Sequence, residues 1–104
     1  IMTPTRELAI QIADDVADLG KYLGVHVLSL HGGQDIARQI SKLSGQVHIV
    51  VGTPGRILDH LRRETLHFGR IKMLVLDEAD KMLEMGFLEE VEEVFIQTAQ
   101  KKQV

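Results

Sequence analysis

At 104 residues the chain has room for one small domain and no more. With 44% hydrophobic and 26% charged residues it reads as an ordinary globular chain, and no apolar run is long enough to cross a bilayer. The lack of cysteine excludes disulfides and thiolate metal sites, and a formal charge of −3 argues against a broad basic face for nucleic acid.

The first predicted element is a helix over 5–23. Leu8, Ile12, Val16, Leu19 and Leu23 recur at three- and four-residue steps, with Asp14, Asp15, Asp18 and Lys21 mostly opposite. Thr3-Pro4 is predicted to start it, and Gly24 to stop it. Residues 25–30 are β-rich and predict a strand, turned by His31-Gly32-Gly33. A short helix with Ile36, Ile40 and Leu43 inward follows, closed by Ser44-Gly45. Residues 47–51 form the most β-branched run and predict a buried strand.

Gly52-Thr53-Pro54-Gly55 then opens a helix carrying Ile57, Leu58 and Leu61. Residues 63–70 predict a loop, with a short extended piece around 66–68. Residues 71–76 predict a strand buried on both faces, since Met73, Leu74, Val75 and Leu76 are all apolar. A turn of helix over 81–85 should break at Gly86. A longer helix over about 87–99 should place Phe87, Leu88, Val91, Val94 and Phe95 on one side and its four glutamates in water. Lys101 to Val104 reads as the start of another strand, and the whole as a piece of a longer protein. Alternating strands and helices predict an α/β fold, a parallel β-sheet flanked by helices with right-handed crossovers.

The carboxyl end of strand 71–76 runs into Asp77-Glu78-Ala79-Asp80. Open α/β sheets hold their ligands at such ends. An apolar strand ending in Asp-Glu is the pattern of a nucleotide-hydrolysing site. There Asp77 would hold Mg²⁺ through water and Glu78 would orient or deprotonate an attacking water. The same stretch also reads as a strand followed by a helix started with acids, which favour a helix N-terminus.

A second pattern occurs twice. Thr3-Pro4-Thr5-Arg6 and Thr53-Pro54-Gly55-Arg56 each follow an apolar stretch and open a helix. Each offers free backbone N–H groups, the positive end of a helix dipole and one arginine. Two such anion sites on one edge suit successive phosphates of a nucleic-acid strand, while N-capping alone accounts for a single Thr-Pro. The charge distribution limits where such a contact can lie. Residues 1–76 carry nine Lys/Arg against seven Asp/Glu, whereas residues 77–104 carry three against eight. Any nucleic-acid contact is therefore predicted to be local and to lie in the first three-quarters.

Pro4-Thr5-Arg6-Glu7-Leu8-Ala9, Gly32-Gly33, Thr53-Pro54-Gly55-Arg56 and Asp77-Glu78-Ala79-Asp80 occur in one order with loop-sized gaps. With Met85-Gly86-Phe87, this set resembles the first RecA-like domain of a DEAD-box RNA helicase, a P-loop NTPase type of fold truncated here at both ends. The resemblance implies an ATP-dependent, cytoplasmic enzyme that separates short RNA duplexes, with ATP and Mg²⁺ as cofactors. Pro4, Thr5, Arg6, Gly33, Thr53, Gly55 and Arg56 would contact RNA phosphates or sugars without reading sequence. Asp77 and Glu78 would serve Mg²⁺ and the hydrolytic water. Asp80 would bond within the domain or to a second RecA-like domain of the same parent chain.

The 104 residues contain no Gly-x-x-x-x-Gly-Lys-Ser/Thr loop to cradle the β- and γ-phosphates. The family's adenine-reading segment, its Ser-Ala-Thr segment and its second domain with the arginine finger are also outside them. The chain by itself is therefore expected to be inactive in hydrolysis. The rival readings are a non-catalytic RNA-binding module, a protein-interaction piece using the acidic helix, and a DNA-directed ATPase. The five histidines show no zinc-binding spacing. Arg62, Arg63, Arg70 and Lys72 form a basic patch that reads as solvated surface or as further RNA contact.

Overall fold

A computed structural model describes residues 1–67 and 71–102, with side chains in the last helix as far as Thr98. The elements are α1 (Arg6–Gly20), a 3₁₀ turn (Lys21–Leu23), β1 (Val27–Leu30), α2 (Ile36–Leu43), β2 (Ile49–Gly52), α3 (Pro54–Arg62), α4 (Ala79–Glu84) and α5 (Leu88–Lys102). β1 and β2 pair in parallel, with Val27 beside Ile49 and Leu30 beside Gly52. Met2 extends this sheet, bridging Gly52 on one side and Leu76 on the other, both in parallel. Four extended tracks thus lie in the order β1, β2, Ile1–Met2, Val75–Leu76 and run the same way. The parallel sheet flanked by helices is as predicted.

Helices cover the two faces because neighbouring residues of a strand point to opposite sides. Ile1 and Val51 pack with Ala9, Ala13, Ile12, Val27 and Ile49 beneath α1. Met2, 0% exposed, packs on the other side with Ile57, Leu58 and Leu61 of α3, Met82 of α4, and Val91 and Val94 of α5.

Several boundaries and faces differ from the sequence reading. β1 starts at Val27 and β2 at Ile49, two residues later than predicted in each case. Before them His26 and His48 stack, with ring centroids 5.5 Å apart. The buried line of α1 is Ala9, Ala13 and Gly20, whereas Leu19 and Leu23 are exposed. Small residues let the helix axis lie close to the sheet, and the larger side chains splay to its flanks. In α5, Val91, Val94 and Thr98 are buried, Leu88 and Phe95 are exposed, and Glu90 and Glu93 are half-buried. α5 also continues to Lys102, so the strand predicted from Lys101 does not begin there. Gln103 and Val104, like Phe68 and Arg70, lie outside the described residues.

The stretch 71–76 is buried on one face only. Leu74 and Leu76 pack toward α3 and α5, while Met73 is 79% exposed. Only Leu76 forms a bridge, because Met2 is the single residue beside it to pair with among those described.

Gly52 is the residue on which two tracks and a helix converge. A Cβ there would run into the Leu30 carbonyl and lie 3.0 Å from Ile57 Cγ1. Gly55 faces open space. We predict that Gly52→Ala lowers folding stability by about 1–3 kcal/mol through overpacking. Gly55→Ala, in the first turn of α3, should be neutral or stabilising by less than about 1 kcal/mol. Denaturant midpoints of both variants check this, and equal midpoints would contradict it.

Candidate functional site

Since the four tracks are parallel, their carboxyl ends share one rim, and three backbone hydrogen bonds tie those ends into a row. The Thr53 N–H donates to Leu30 O at 3.1 Å, the Thr3 N–H to Gly52 O at 3.0 Å, and the Asp77 N–H to Met2 O at 2.9 Å. The loops carrying Gly33, Thr53–Arg56, Pro4–Arg6 and Asp77–Asp80 therefore leave the sheet side by side. At about 4.8 Å per strand, Asp77 starts roughly 10 Å from β2 and 14 Å from β1.

The two Thr-Pro-x-Arg stretches are alike in sequence and different in capping. Thr5, not Thr3, caps α1, its Oγ1 accepting from the Leu8 N–H at 3.2 Å. Pro4 is buried and sets the path into the helix, so Arg6 is the first helical residue. The position equivalent to Thr5 is Gly55, which has no side chain to cap with. α3 consequently starts two residues earlier, with Thr53 at the cap and Pro54 at the first helical position. Arg56 falls in its first turn. Thr53 is half-buried and Gly55 exposed.

The two arginines nevertheless meet over one loop. A Cβ on Gly33 would lie 2.6 Å from Arg6 Nη1, and Gly33 has φ +85°, a conformation that a side chain would strain. Arg56 Nη1 donates to Gln34 O at 3.4 Å. Arg6 is exposed, and Glu7, 3.7 Å away, is its one ion-pair partner among the described residues. Of the predicted basic patch, Arg63 pairs with Asp59 at 2.9 Å along α3, and Arg62 is exposed.

On the acidic side, Asp77 is half-buried and makes no hydrogen bond or ion pair with a described side chain. No group of three His, Asp or Glu that could cage a metal exists among the described residues. One free carboxylate at a strand end fits Mg²⁺, which keeps several waters and takes its remaining ligands from phosphates. Glu78 is exposed and has φ +54° and ψ +51°, left-handed for a non-glycine residue. Such a conformation costs on the order of 1–3 kcal/mol and is concentrated at functional sites. α4 begins at Ala79, two residues before the predicted start, with Asp80 exposed in its first turn. The acid-started helix is thus present too.

A profile of the DEAD/DEAH box helicase family matches residues 1–104. The chain belongs to that family. It is 52% identical over 94 residues to the DEAD-box ATP-dependent RNA helicase CshA of Bacillus cereus, covering 90% of this chain and 18% of that protein. It is 51% identical over 104 residues to the ATP-dependent RNA helicase DeaD of Buchnera aphidicola, covering 99% and 17%. Among solved structures, a hypothetical ATP-dependent RNA helicase from Sulfolobus tokodaii superposes with a TM-score of 0.88 at 35% identity, covering 97% and 31%. The yeast DEAD-box splicing factor Prp28 gives 0.90 at 33% identity, covering 96% and 24%. The chain thus has the RecA-like fold of DEAD-box helicases and spans under a fifth of those two curated relatives.

Sequence reasoning missed a polar cluster behind the rim of this helicase domain. His60 lies inside α3 and is 0% exposed, and Gln39 of α2 is 2% exposed. His60 Nδ1 is 2.8 Å from Thr65 Oγ1 and Nε2 is 2.8 Å from Gln39 Oε1. A signal was available, because Gln39 falls on the same stripe as Ile36, Ile40 and Leu43, and His60 on that of Ile57 and Leu61. Burial lowers the His60 pKa, the Arg56 guanidinium lowers it further, Asp59 raises it and Arg63 lowers it.

The folded state binds the His60 proton less readily than the unfolded chain, whose ring titrates near 6.5. Stability from the neutral ring is present above about pH 6.5 and is lost as pH falls below it. Urea midpoints at pH 7.5 and 5.5 should differ less in His60→Gln than in the unsubstituted protein, and an unchanged difference would contradict the assignment. For the backbone, Glu78→Gly should raise stability by up to about 1 kcal/mol by relieving the left-handed conformation. A lower melting temperature would contradict this.

Proposed function

We propose that the chain is part of an RNA-stimulated ATPase that locally separates short RNA duplexes. Its rim would grip one RNA strand by the backbone while holding the acids for ATP hydrolysis alongside. The observation that supports this reading most is the convergence of Arg6 and Arg56 on the 33–34 loop, at strand ends tied in a row to Asp77. Arg6, Arg56 and the free N–H groups of two helix N-termini would bind successive phosphates. Gly33 and Gly55 would admit the sugar-phosphate chain closely, and Pro4, Thr5 and Thr53 would shape the two turns. None of these groups reads base edges, so binding would be independent of sequence.

On the acidic side, Glu78 would orient or deprotonate the attacking water, and its exposed position leaves it open to one. Asp77 would hold Mg²⁺, which when bound offsets charge on the phosphates. Asp80 would link this domain to a second RecA-like domain of the parent, coupling nucleotide state to RNA grip. The 104 residues alone lack a phosphate-binding loop and would bind RNA without ATP turnover.

In the full-length protein, Glu78→Gln should abolish ATP turnover and leave RNA affinity within about twofold; surviving turnover would remove Glu78 as the base. Arg6→Ala should weaken RNA binding and reduce the slope of log affinity against log salt by about 0.7, the value for one phosphate contact on a single strand. An unchanged slope would remove Arg6 from the phosphate site.

A further inference from the structure

The polar cluster behind the rim reaches the arginine assigned above to RNA. Gln39 Oε1 accepts from Arg56 Nη1 at 3.0 Å and lies 2.8 Å from His60 Nε2. Gln39 Nε2 donates to His31 O at 3.2 Å and to Gln34 Oε1 at 2.6 Å. Arginine can only donate and a carbonyl can only accept, so these two partners fix which end of the amide is oxygen. His60 must then carry a proton on Nε2, while its Nδ1 lies 2.8 Å from Thr65 Oγ1, a hydroxyl that also has the His60 carbonyl within reach at 3.1 Å. Every donor and acceptor of the Gln39 amide is used.

We propose that Gln39, held by His60 and Thr65, is a positioning residue for Arg56, fixing its guanidinium at the rim before RNA arrives. The inference rests on the reading of Arg56 as a phosphate contact. One Nη1 side of the fork is taken by Gln39 Oε1 and Gln34 O, which leaves Nε and Nη2 as donors for a phosphate. An arginine free in solvent loses rotamer freedom when it binds, whereas one already seated has lost it on folding. The network also joins α2, α3 and the 31–34 loop through side chains. It thereby sets the position of Arg56 relative to Gly33, where Arg6 lies.

The test is a double-mutant cycle on RNA affinity in the full-length protein, read together with its salt dependence. Arg56→Ala should cut the salt slope by about 0.7. Gln39→Met, of similar size but unable to hold the arginine, should weaken binding about threefold or more, within the range of couplings for residues in contact. In the Arg56→Ala background Gln39→Met should have no further effect on affinity or slope. Thr65→Val, which removes only the hydroxyl that holds the His60 ring at Nδ1, should act in the same direction more weakly, and it decides the matter if Gln39→Met fails to fold. If Gln39→Met or Thr65→Val weakens binding by the same factor with and without Arg56, the network is structural only and the proposal is overturned. If Arg56→Ala leaves both affinity and slope unchanged, the phosphate-contact reading fails and the inference falls with it.

Discussion

The rim exists because three backbone hydrogen bonds cross from one strand end to the next, at Leu30, Gly52 and Met2. Each of these bonds sits where a strand stops and a motif-bearing loop starts. They hold the loops in a row at strand spacing, so no side chain has to bring them together. The arrangement is strict at Gly52, where any Cβ would collide with the Leu30 carbonyl and loosen the join between β1 and α3. Met2 occupies the centre of the row, bonded on both sides and 0% exposed.

The two faces of the sheet serve different ends. Under α1 the contacts are made by Ala9 and Ala13, which bring the start of that helix, and with it Arg6, close against the 31–34 loop. Under α3 the contacts are larger, and α3, α4 and α5 share a single core with Met2 and Leu76. That core anchors the acidic loop and the Arg56 helix to the same block. The left-handed Glu78 is the one place on the rim where a non-glycine side chain is held in a costly conformation, and the resemblance assigns the attacking water to that residue.

Much of this was legible in the residues. β-branched runs gave the parallel order, Thr53-Pro54 marked the start of α3 and Gly24 the end of the turn after α1, and the four motifs fell in the order of the family to which the chain belongs. What escaped was set by tertiary contact. Leu19 and Leu23 fit a helical stripe, yet Ala9 and Ala13 are buried because closeness to the sheet favours small residues over large ones. The repeated Thr-Pro-x-Arg implied matching caps, and a single exchange of Thr5 for Gly55 shifted one helix start by two residues. The run 71–76 looked buried on both faces, but covering both needs neighbours on each side, and Met73 has none among the described residues. Gln39 and His60 stand on apolar stripes, which signals burial, but the cluster they form is legible only once their partners are known. Their partners come from 5 to 21 positions away.

The central claim is that one rim carries both the RNA grip and the hydrolytic acids. Hydrogen exchange of the full-length protein, with and without unstructured single-stranded RNA, tests it most directly. The account predicts slowed exchange at backbone amides of residues 5–8, 32–35 and 55–58, with the opposite edge around His26 and His48 unchanged. Protection centred on that opposite edge, or on the exposed turn at Lys21–Leu23, would contradict it.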